Sequence, residues 1–187
     1  MRTLIVTAFV SADGVMEAPG PDGSHRNAGW TINDIEFDPT AYEIKGREQE
    51  EAAAMLLGRR SYEQFAPVWP SMEDFAGYNA MPRYVVSTTL ASDDERWPAT
   101  ILRSVDEVAT LKETEGGPII VHGSAQLGAS LADAGLVDRY HLLTFPVLLG
   151  AGTRLFSTAD KAAEKLTLVE HDVYGNGITK QVYDVVR

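Results

Sequence analysis

The chain has 187 residues, of which 44% are hydrophobic and 23% are charged, and its formal net charge is −11. This balance is typical of a globular protein with one sizeable core, and the acidic net charge argues against non-specific nucleic-acid binding, which needs a basic surface. The absence of cysteine excludes disulfides, thiolate metal sites and a cysteine nucleophile, and no apolar run approaches the ~18 residues of a membrane span.

The first predicted element is a strand over residues 2–10, which are apolar and β-branched and therefore suit a buried position. No signal-type apolar core with a cleavage site follows it, so we expect a cytoplasmic protein. A turn follows at Ser11-Ala12-Asp13-Gly14, because glycine accepts a positive φ. Residues 17–34 form a long loop after this strand, a position where loops are often functional. Trp30 in this loop either stacks on a flat ligand or closes the loop over the core.

Residues 39–53 are predicted to form a helix with an acidic side, which we interpret as solvated surface. That side carries Glu43, Glu48, Glu50 and Glu51. A buried strand at 54–58 and a helix near 59–66 follow, and residues 67–81, with two prolines, are predicted to be irregular. The next elements are a strand over 83–87, a short strand over 100–102 and a helix that starts at Ser104, which makes a capping box with Glu107.

The last third of the chain continues the alternation of strands and helices. A strand over 118–122 leads into a helix opened by Gly123-Ser124, with Gly135 as its C-cap. A strand over 137–145 and a glycine-rich loop over 146–153 precede two strands, 165–174 and 178–186, whose turn contains the hairpin signal Asn176-Gly177. The pattern predicts one α/β domain over 1–187, with three α/β/α layers, a mainly parallel sheet and an antiparallel C-terminal hairpin.

Three strand ends share a similar chemistry, and their residues are Gly58-Arg59-Arg60-Ser61, Ser87-Thr88-Thr89 and Gly123-Ser124-Ala125-Gln126. If these strands are neighbours in a parallel sheet, their ends face one crevice, where helix amides and the two arginines would hold a pyrophosphate. Arginine and hydroxyls beside them would also hold a ribose phosphate and select NADP over NAD. The alternative is that the hydroxyls cap helices, the glycines make turns and the arginines are solvated. The four histidines are widely spaced and predict no metal site.

In order and spacing, these segments resemble the dihydrofolate reductase-like superfamily, specifically the reductase domain of the bifunctional riboflavin biosynthesis protein and its stand-alone relatives. The matching segments are 11–14, 57–63, 86–90, 121–127, 135–138 and 146–156. Two departures stand out. His122-Gly123-Ser124 replaces an acidic residue followed by two glycines. The acidic residue on the first helix of the folate enzymes has no clear counterpart, since Asp34, Glu36 and Asp38 are only near its place.

The resemblance implies an NADPH-dependent reductase that forms a homodimer. It assigns Gly58, Arg59 and Ser61 to the cofactor phosphates, and Arg60 adds positive charge beside them. It assigns Ser87 and Thr88 to the ribose phosphate, and Gly123, Ser124, Ala125, Gln126 and Leu127 to the pyrophosphate and nicotinamide side. It places Ser11 and Asp13 at the substrate.

A hydride transfer also requires a proton, and Asp13 is the first choice to orient the substrate or donate that proton. The alternative is that Asp13 only shapes its turn. His122 is more simply structural and is left out of the catalytic residues. The leading hypothesis is a reductase of 5-amino-6-(5-phosphoribosylamino)uracil or a similar pyrimidine or pterin, although only Arg26 is a basic residue near the Ser11–Asp13 loop. The alternatives are a dihydrofolate or pteridine reductase and a non-catalytic nucleotide-binding module.

Overall fold

A computed structural model describes residues 1–21, 25–33, 35–92, 94–157, 159–160 and 162–187. The strands are β1 (Leu4–Ser11), β2 (Ala54–Gly58), β3 (Arg83–Val86), β4 (Thr100–Leu102), β5 (Ile119–His122), β6 (Arg139–Phe145), β7 (Leu166–Val173) and β8 (Thr179–Val185). The α-helices are α1 (Glu43–Glu51), α2 (Arg59–Phe65), α3 (Ala76–Ala80), α4 (Val105–Glu113) and α5 (Ala125–Asp133), and 3-10 turns cover Pro39–Tyr42, Trp69–Ser71 and Glu73–Phe75.

All eight strands form one sheet, in the order β4-β3-β2-β5-β1-β6-β8-β7. The first six strands are parallel, β8 pairs antiparallel with β6, and β7 pairs antiparallel with β8. The predicted mainly parallel sheet with an antiparallel C-terminal hairpin is therefore confirmed. The hairpin turns at Asn176-Gly177, where Gly177 has a φ of +84°, a conformation that glycine adopts without a steric clash.

The helix ends follow the local sequence signals, with small differences. Ser104 caps α4 by accepting a hydrogen bond from the Glu107 amide, but the Glu107 carboxylate accepts from the Arg103 amide, so the predicted box is shifted by one residue on its acidic side. The predicted helix over 39–53 divides into a 3-10 turn and α1, and the region 67–81, predicted to be irregular, contains α3. Within the described ranges, no helix is long and apolar enough to cross a membrane.

The two faces of the sheet are covered differently. One face packs against α4 and α5 in a continuous apolar cluster that includes Leu4, Val6, Leu56, Val121, Leu127 and Leu131. The opposite face carries two separate clusters. One lies under α2 and α3 and includes Met55, Leu57, Tyr62 and Tyr78, and the other lies near α1 and includes Trp30, Ile44, Leu143 and Phe145. Polar side chains lie on this face as well, including buried Thr7 and His141, which belong to neither cluster.

Candidate active site

The three strand ends identified in the sequence lie side by side at one edge of the sheet. β3, β2 and β5 are consecutive and parallel. Gly58 is level with Val86 across β2 and β3, so Gly58 and Ser87 leave the sheet together. Gly123 follows the last residue of β5, on the other side of β2. The condition on which the crevice hypothesis depends is therefore met, because adjacent parallel strands open into the same crevice at their carboxyl ends.

Two hydrogen bonds join the end of β2 to the end of β5. The Gly58 amide donates to Ser124 Oγ over 2.9 Å, and the Ser124 amide donates to Ser61 Oγ over 3.0 Å. Ser61 is buried, with 7% of its surface exposed. The hydroxyls of Ser61 and Ser124 therefore tie the end of β2 and the start of α2 to the turn after β5.

The turn from β5 into α5 has two consecutive left-handed residues. Gly123 and Ser124 have φ values of +60° and +62°, and such a value is uncommon outside glycine. A side chain at position 123 would meet Ser61 Oγ at 3.4 Å, an ordinary contact distance, so the backbone angle is what favours glycine there. Turns of this kind place successive amides on a concave surface. In this turn the Ser124 amide donates to Ser61 Oγ, whereas the first amides of α5 have no acceptor within the helix.

The first turn of α5 carries the remaining residues predicted on this side. Ala125 is half-buried and Gln126 is exposed, so both can be reached from the crevice. Leu127 is buried and packs in the apolar cluster under α5, where it also lies 3.5 Å from the position that a Cβ on Gly58 would occupy. Its side chain therefore forms part of the wall between the crevice and the core.

Arg59 connects the end of β2 to the turn that follows β3. Its Nη1 atom donates to Thr89 Oγ1 over 2.6 Å, and its Nε atom donates to Glu63 Oε1 over 2.8 Å. The side chain is 49% exposed, so the guanidinium lies at the mouth of the crevice. Arg60 beside it is exposed as well. Both arginines are thus accessible to an anionic ligand.

The turn after β3 is built by its own hydrogen bonds. Ser87 Oγ accepts from the amides of Thr89 and Leu90, and Ser87 is buried. Arg103 Nη1 donates to the carbonyls of Ser87 and Leu90. Thr88 is exposed at the tip of the turn. Of the predicted pair, Thr88 therefore faces outwards, while the Ser87 hydroxyl shapes the turn.

Asp13 and Ser11 form the anchor of a loop. Ser11 Oγ donates to Asp13 Oδ1 over 2.6 Å, and the amides of Leu149 and Gly150 donate to the two Asp13 oxygens over 3.1 and 2.8 Å. The hydrogen bond from Ser11, followed by that from Leu149, lowers the pKa of the Asp13 carboxyl to about 2. A carboxylate that is ionised and already accepts three hydrogen bonds is a poor proton donor, so the structure favours the turn-shaping alternative over proton donation. The role of Asp13 in orienting a substrate stays a prediction.

Trp30 closes its loop over the core. Only 4% of its surface is exposed, its Nε1 atom donates to the Glu17 carbonyl over 2.8 Å, and its ring meets Phe145 edge-on at 5.3 Å. No face of the indole is open to a ligand in this conformation. Of the two roles considered for Trp30, the structure supports the core role and not stacking on a substrate.

Where the structure describes them, the acidic residues that the sequence places before and on the first helix do not form one cluster. Asp38 caps the 3-10 turn by accepting from the Thr40 amide, and the Glu36 carbonyl accepts from Asn176 Nδ2. Asp34 lies outside the described residues. Glu43, Glu50 and Glu51 on α1 are exposed, as expected for a solvated side. The expectation is wrong for Glu48, which is only 2% exposed.

Glu48 is the centre of a buried polar cluster that the sequence reasoning missed. Its Oε1 atom accepts from Thr7 Oγ1 over 2.7 Å and lies 2.9 Å from His141 Nδ1. Its Oε2 atom accepts from the Tyr78 hydroxyl over 3.0 Å and lies 3.2 Å from Lys45 Nζ. The signal that could have found it is spacing, because positions 41, 44 and 48 form one stripe of a helix and the first two are apolar.

Burial by itself raises the pKa of the Glu48 carboxyl, but the charge of Lys45 and the hydrogen bond with His141 outweigh burial and lower the pKa to about 2. Burial lowers the pKa of Lys45, an effect that Glu48 partly offsets. Burial also raises the pKa of Tyr78, and the Glu48 charge adds to this. The cluster is therefore a Glu48–Lys45 ion pair to which the hydroxyls of Thr7 and Tyr78 donate hydrogen bonds. Among the described residues, no group of three or more His, Asp or Glu side chains is placed to hold a metal ion.

His122 lies next to this cluster, at the end of β5. Its ring is surrounded edge-on by Phe65, Trp69 and Tyr78, at centroid distances of 6.0, 4.9 and 5.3 Å. Its Nδ1 atom is buried and has no hydrogen-bond partner among the described residues, although part of the residue is exposed. Burial, together with the charge of Lys45, lowers the pKa of His122 to about 3. The imidazole is therefore neutral near pH 7.

The strand order, the C-terminal hairpin and the crevice define a dihydrofolate reductase-like domain. The model of the RibD C-terminal domain family matches residues 2–180, so the chain belongs to that family. Among curated proteins, the uncharacterized protein YyaP of Bacillus subtilis (strain 168) is 26% identical over 189 residues, which cover 97% of this chain and 94% of YyaP.

Solved structures with low sequence identity share the fold. A protein assigned to riboflavin biosynthesis in Shewanella sp. PV-4 matches with a TM-score of 0.74 at 18% identity, over 99% of both chains. A pyrimidine reductase-like protein from Corynebacterium diphtheriae matches with a TM-score of 0.68 at 15% identity, over 100% of this chain and 92% of the other. Dihydrofolate reductase from Enterococcus faecalis, in a complex with NADP(H), matches with a TM-score of 0.63 at 14% identity, over 99% and 97%.

Proposed function

We propose that this protein is a cytoplasmic, NADPH-dependent reductase of a pyrimidine- or pterin-like small molecule. The observation that carries the proposal is the position of Arg59. Its half-exposed guanidinium stands between the ends of β2 and β3, and the left-handed Gly123-Ser124 turn lies on the other side of β2. A fork-shaped cation beside a turn and the first amides of α5 suits a polyanionic dinucleotide.

The turn after β3 favours NADPH over NADH. Arg59 and Arg103 both bond to this turn, and Thr88 is exposed at its tip. These cations therefore suit the phosphate on the adenosine ribose of NADPH, a group that NADH lacks. This positive region lies on a protein whose net charge is −11, so the attraction is local to the crevice. The bound cofactor would supply the hydride of the reduction.

A phosphorylated pyrimidine such as 5-amino-6-(5-phosphoribosylamino)uracil is the leading substrate. The sequence offers only Arg26 near the Ser11–Asp13 loop, but the fold adds two more cations. Arg154 Nη2 lies 3.9 Å from Asp13 Oδ2 with its side chain 44% exposed. Arg60 is the second cation, since it lies close enough to Glu17 for its charge to affect that carboxylate. The Glu17 pKa is lowered first by hydrogen bonds from Thr153, and the charges of His25 and Arg60 lower it further. These guanidiniums support recognition of a substrate phosphate, a group that a simple pteridine lacks.

The experiment that tests the proposal has two parts. Binding of NADPH and NADH is measured by fluorescence titration, and oxidation of NADPH is then followed by absorbance with a panel of uracil and pterin substrates. Turnover of the phosphoribosylaminouracil supports the leading hypothesis, and turnover of dihydrofolate or a pteridine supports the alternative. Tight NADPH binding with no turnover of any compound would favour the non-catalytic module.

Replacing Arg59 with glutamine is expected to weaken NADPH binding by about tenfold or more, because a charge-assisted hydrogen bond to phosphate is lost. The loss for NADH should be smaller, since NADH lacks the extra phosphate. Titration of both cofactors against both proteins measures the difference.

The matched control is Arg139→Gln. Arg139 is also a partly exposed arginine in an ion pair, with Asp184 at 2.6 Å, but it lies at the amino end of β6, away from the crevice. Its replacement should leave both dissociation constants unchanged. Equal NADPH affinity in Arg59→Gln and wild type would contradict the proposed cofactor site.

We also propose that the protein is a homodimer. Strand β7 is one of the two edges of the sheet and is exposed along most of its length, with exposed Leu168, Val169 and Val173 among its residues. An exposed apolar edge strand is a ready site for association with a second copy. Sedimentation equilibrium should give twice the mass of one chain, and Val169→Lys should shift the protein towards the monomer. A wild-type protein that is monomeric at all concentrations would contradict this proposal.

A further inference from the structure

A row of polar side chains crosses the sheet next to the crevice. Thr7 on β1 is level with His122 across the pair with β5, and level with His141 across the pair with β6. Gly123, at the start of the proposed cofactor turn, directly follows His122. Since neighbouring strands lie about 4.8 Å apart, this row begins within one or two strands of the proposed cofactor site.

Lys45 on α1 reaches this row from above. Its Nζ atom donates to Thr7 Oγ1 and lies 3.2 Å from Glu48 Oε2. The ammonium also lies 5.0 Å from the centroid of the Phe9 ring. The side chain is 13% exposed, in contrast to 1% for Glu48, so Lys45 is the member of the ion pair that lies nearer to the surface.

The other ionisable groups of the row are unsuited to donate a proton. Glu48 is ionised and accepts from all four of its neighbours, and burial raises the pKa of the Tyr78 hydroxyl, which already donates to Glu48. The low pKa of His122 leaves its imidazole neutral, and Asp13 is ionised in its loop. His141 is 4% exposed and its Nδ1 atom lies 2.9 Å from Glu48 Oε1, so that nitrogen is engaged by the carboxylate. Lys45 is left as the candidate acid, and burial lowers its pKa, which makes it a stronger acid than a solvated lysine.

We propose that Lys45 is the proton donor of the reduction, an inference that rests on the reductase function proposed above. As a hydride adds to the carbon of a substrate C=O or C=N group, the oxygen or nitrogen takes a proton from Lys45 Nζ. The N–H bond breaks, its electron pair stays on the amine, and water later returns the proton. Glu48 and Thr7 are positioning residues, because they hold the ammonium in place.

The first test needs no turnover. The protein is labelled with lysine carrying carbon-13 at the ε position, and each lysine is titrated by NMR with and without NADP⁺. The Lys45 signal is assigned by its loss in Lys45→Arg. Its titration midpoint should fall on addition of NADP⁺, because the nicotinamide cation disfavours a nearby ammonium. Lys112 is the control, since it is also buried but lies at the amino end of the sheet, bonded to the Leu136 carbonyl, and its signal should not respond.

The second test uses turnover of whichever panel substrate is reduced. Lys45→Met should lower kcat by about 100-fold or more while NADPH affinity stays within about twofold of wild type. Lys45→Arg should not restore kcat, because arginine keeps the charge but holds its proton too tightly. The wild-type kcat should fall as pH rises through the titration midpoint of Lys45, because the deprotonated amine cannot donate a proton. The kcat of Lys45→Met should not show this decrease.

The outcomes separate the two proposals. Failure of NADPH to bind the wild-type protein overturns both the reductase function and the role of Lys45. Binding of NADPH with a Lys45 signal that does not respond to NADP⁺ overturns the role of Lys45 alone, and so does full kcat in Lys45→Met. If no panel substrate is reduced, the NMR titration decides.

Discussion

Replacing Glu48 with alanine is expected to lower the free energy of unfolding by about 3–5 kcal/mol, the usual effect of breaking a buried ion pair by removal of one partner. The carboxylate is 1% exposed and is surrounded by Lys45, Thr7, His141 and Tyr78. Its loss leaves the Lys45 ammonium uncompensated and several polar groups without a partner. Urea unfolding near pH 7, followed by circular dichroism, measures the change.

Two further variants show whether the charge is the cause. Glu50→Ala removes a carboxylate from an exposed position of the same helix, and its effect should stay within about 0.5 kcal/mol. Lys45→Met in the Glu48→Ala background removes the stranded ammonium, and the double-variant cycle should give a coupling of about 1–3 kcal/mol. An effect of Glu48→Ala no larger than that of Glu50→Ala would contradict the buried ion pair.

The second large effect is a dependence of stability on pH that comes from His122. Its folded pKa of about 3 lies below the ordinary value of 6.5, so between these values the unfolded chain binds a proton that the folded protein does not. Stability must therefore be fully present above about pH 6.5 and must fall as pH decreases towards 3. The full linkage is about 1.4 kcal/mol per pH unit, and we expect a total of about 2 kcal/mol between pH 6.5 and 4, because part of the residue reaches water.

His122→Phe tests this expectation, since phenylalanine keeps an aromatic ring against Phe65, Trp69 and Tyr78 but cannot titrate. As pH falls below about 6.5, the variant should gain stability relative to wild type, and above about pH 7.5 the two curves should run parallel. Glu48 also loses stabilising charge at low pH, but its folded pKa is about 2, so the two proteins are compared above pH 4. A constant difference from pH 8 to pH 4 would show that His122 has the same pKa in the folded and unfolded states, and would contradict the expectation.

Elements with a strong local signal were predictable. The Asn176-Gly177 hairpin, the Ser104 cap and the alternation of strands and helices depend on residues within a few positions of each other, and the structure contains all of them. The crevice also followed from the sequence, because each strand leads directly into chemistry at its carboxyl end and parallel neighbours place those ends together.

The use of individual side chains in the crevice was less predictable. Ser61 and Ser87 lie where the sequence placed them, but both are buried and their hydroxyls accept hydrogen bonds from the protein's own amides. Arg59 and Thr88 remain accessible. From the sequence, a hydroxyl beside a glycine can equally well bind a ligand or stabilise a turn. For Ser61 the structure shows a bond within the protein, because its hydroxyl accepts from the amide of Ser124, which lies 63 positions away.

The sequence by itself determined the α/β class, the mainly parallel sheet, its terminal hairpin and the site of the crevice, because these features follow from local backbone preferences and strand direction. Only the tertiary structure decided that Glu48 is buried against His141 and that Trp30 packs on Phe145. It also decided that the Asp13 carboxylate accepts hydrogen bonds from the amides of Leu149 and Gly150. These contacts join residues separated by 93 positions or more. Burial and ionisation depend on such distant partners, and no local pattern records which partner the fold brings into contact.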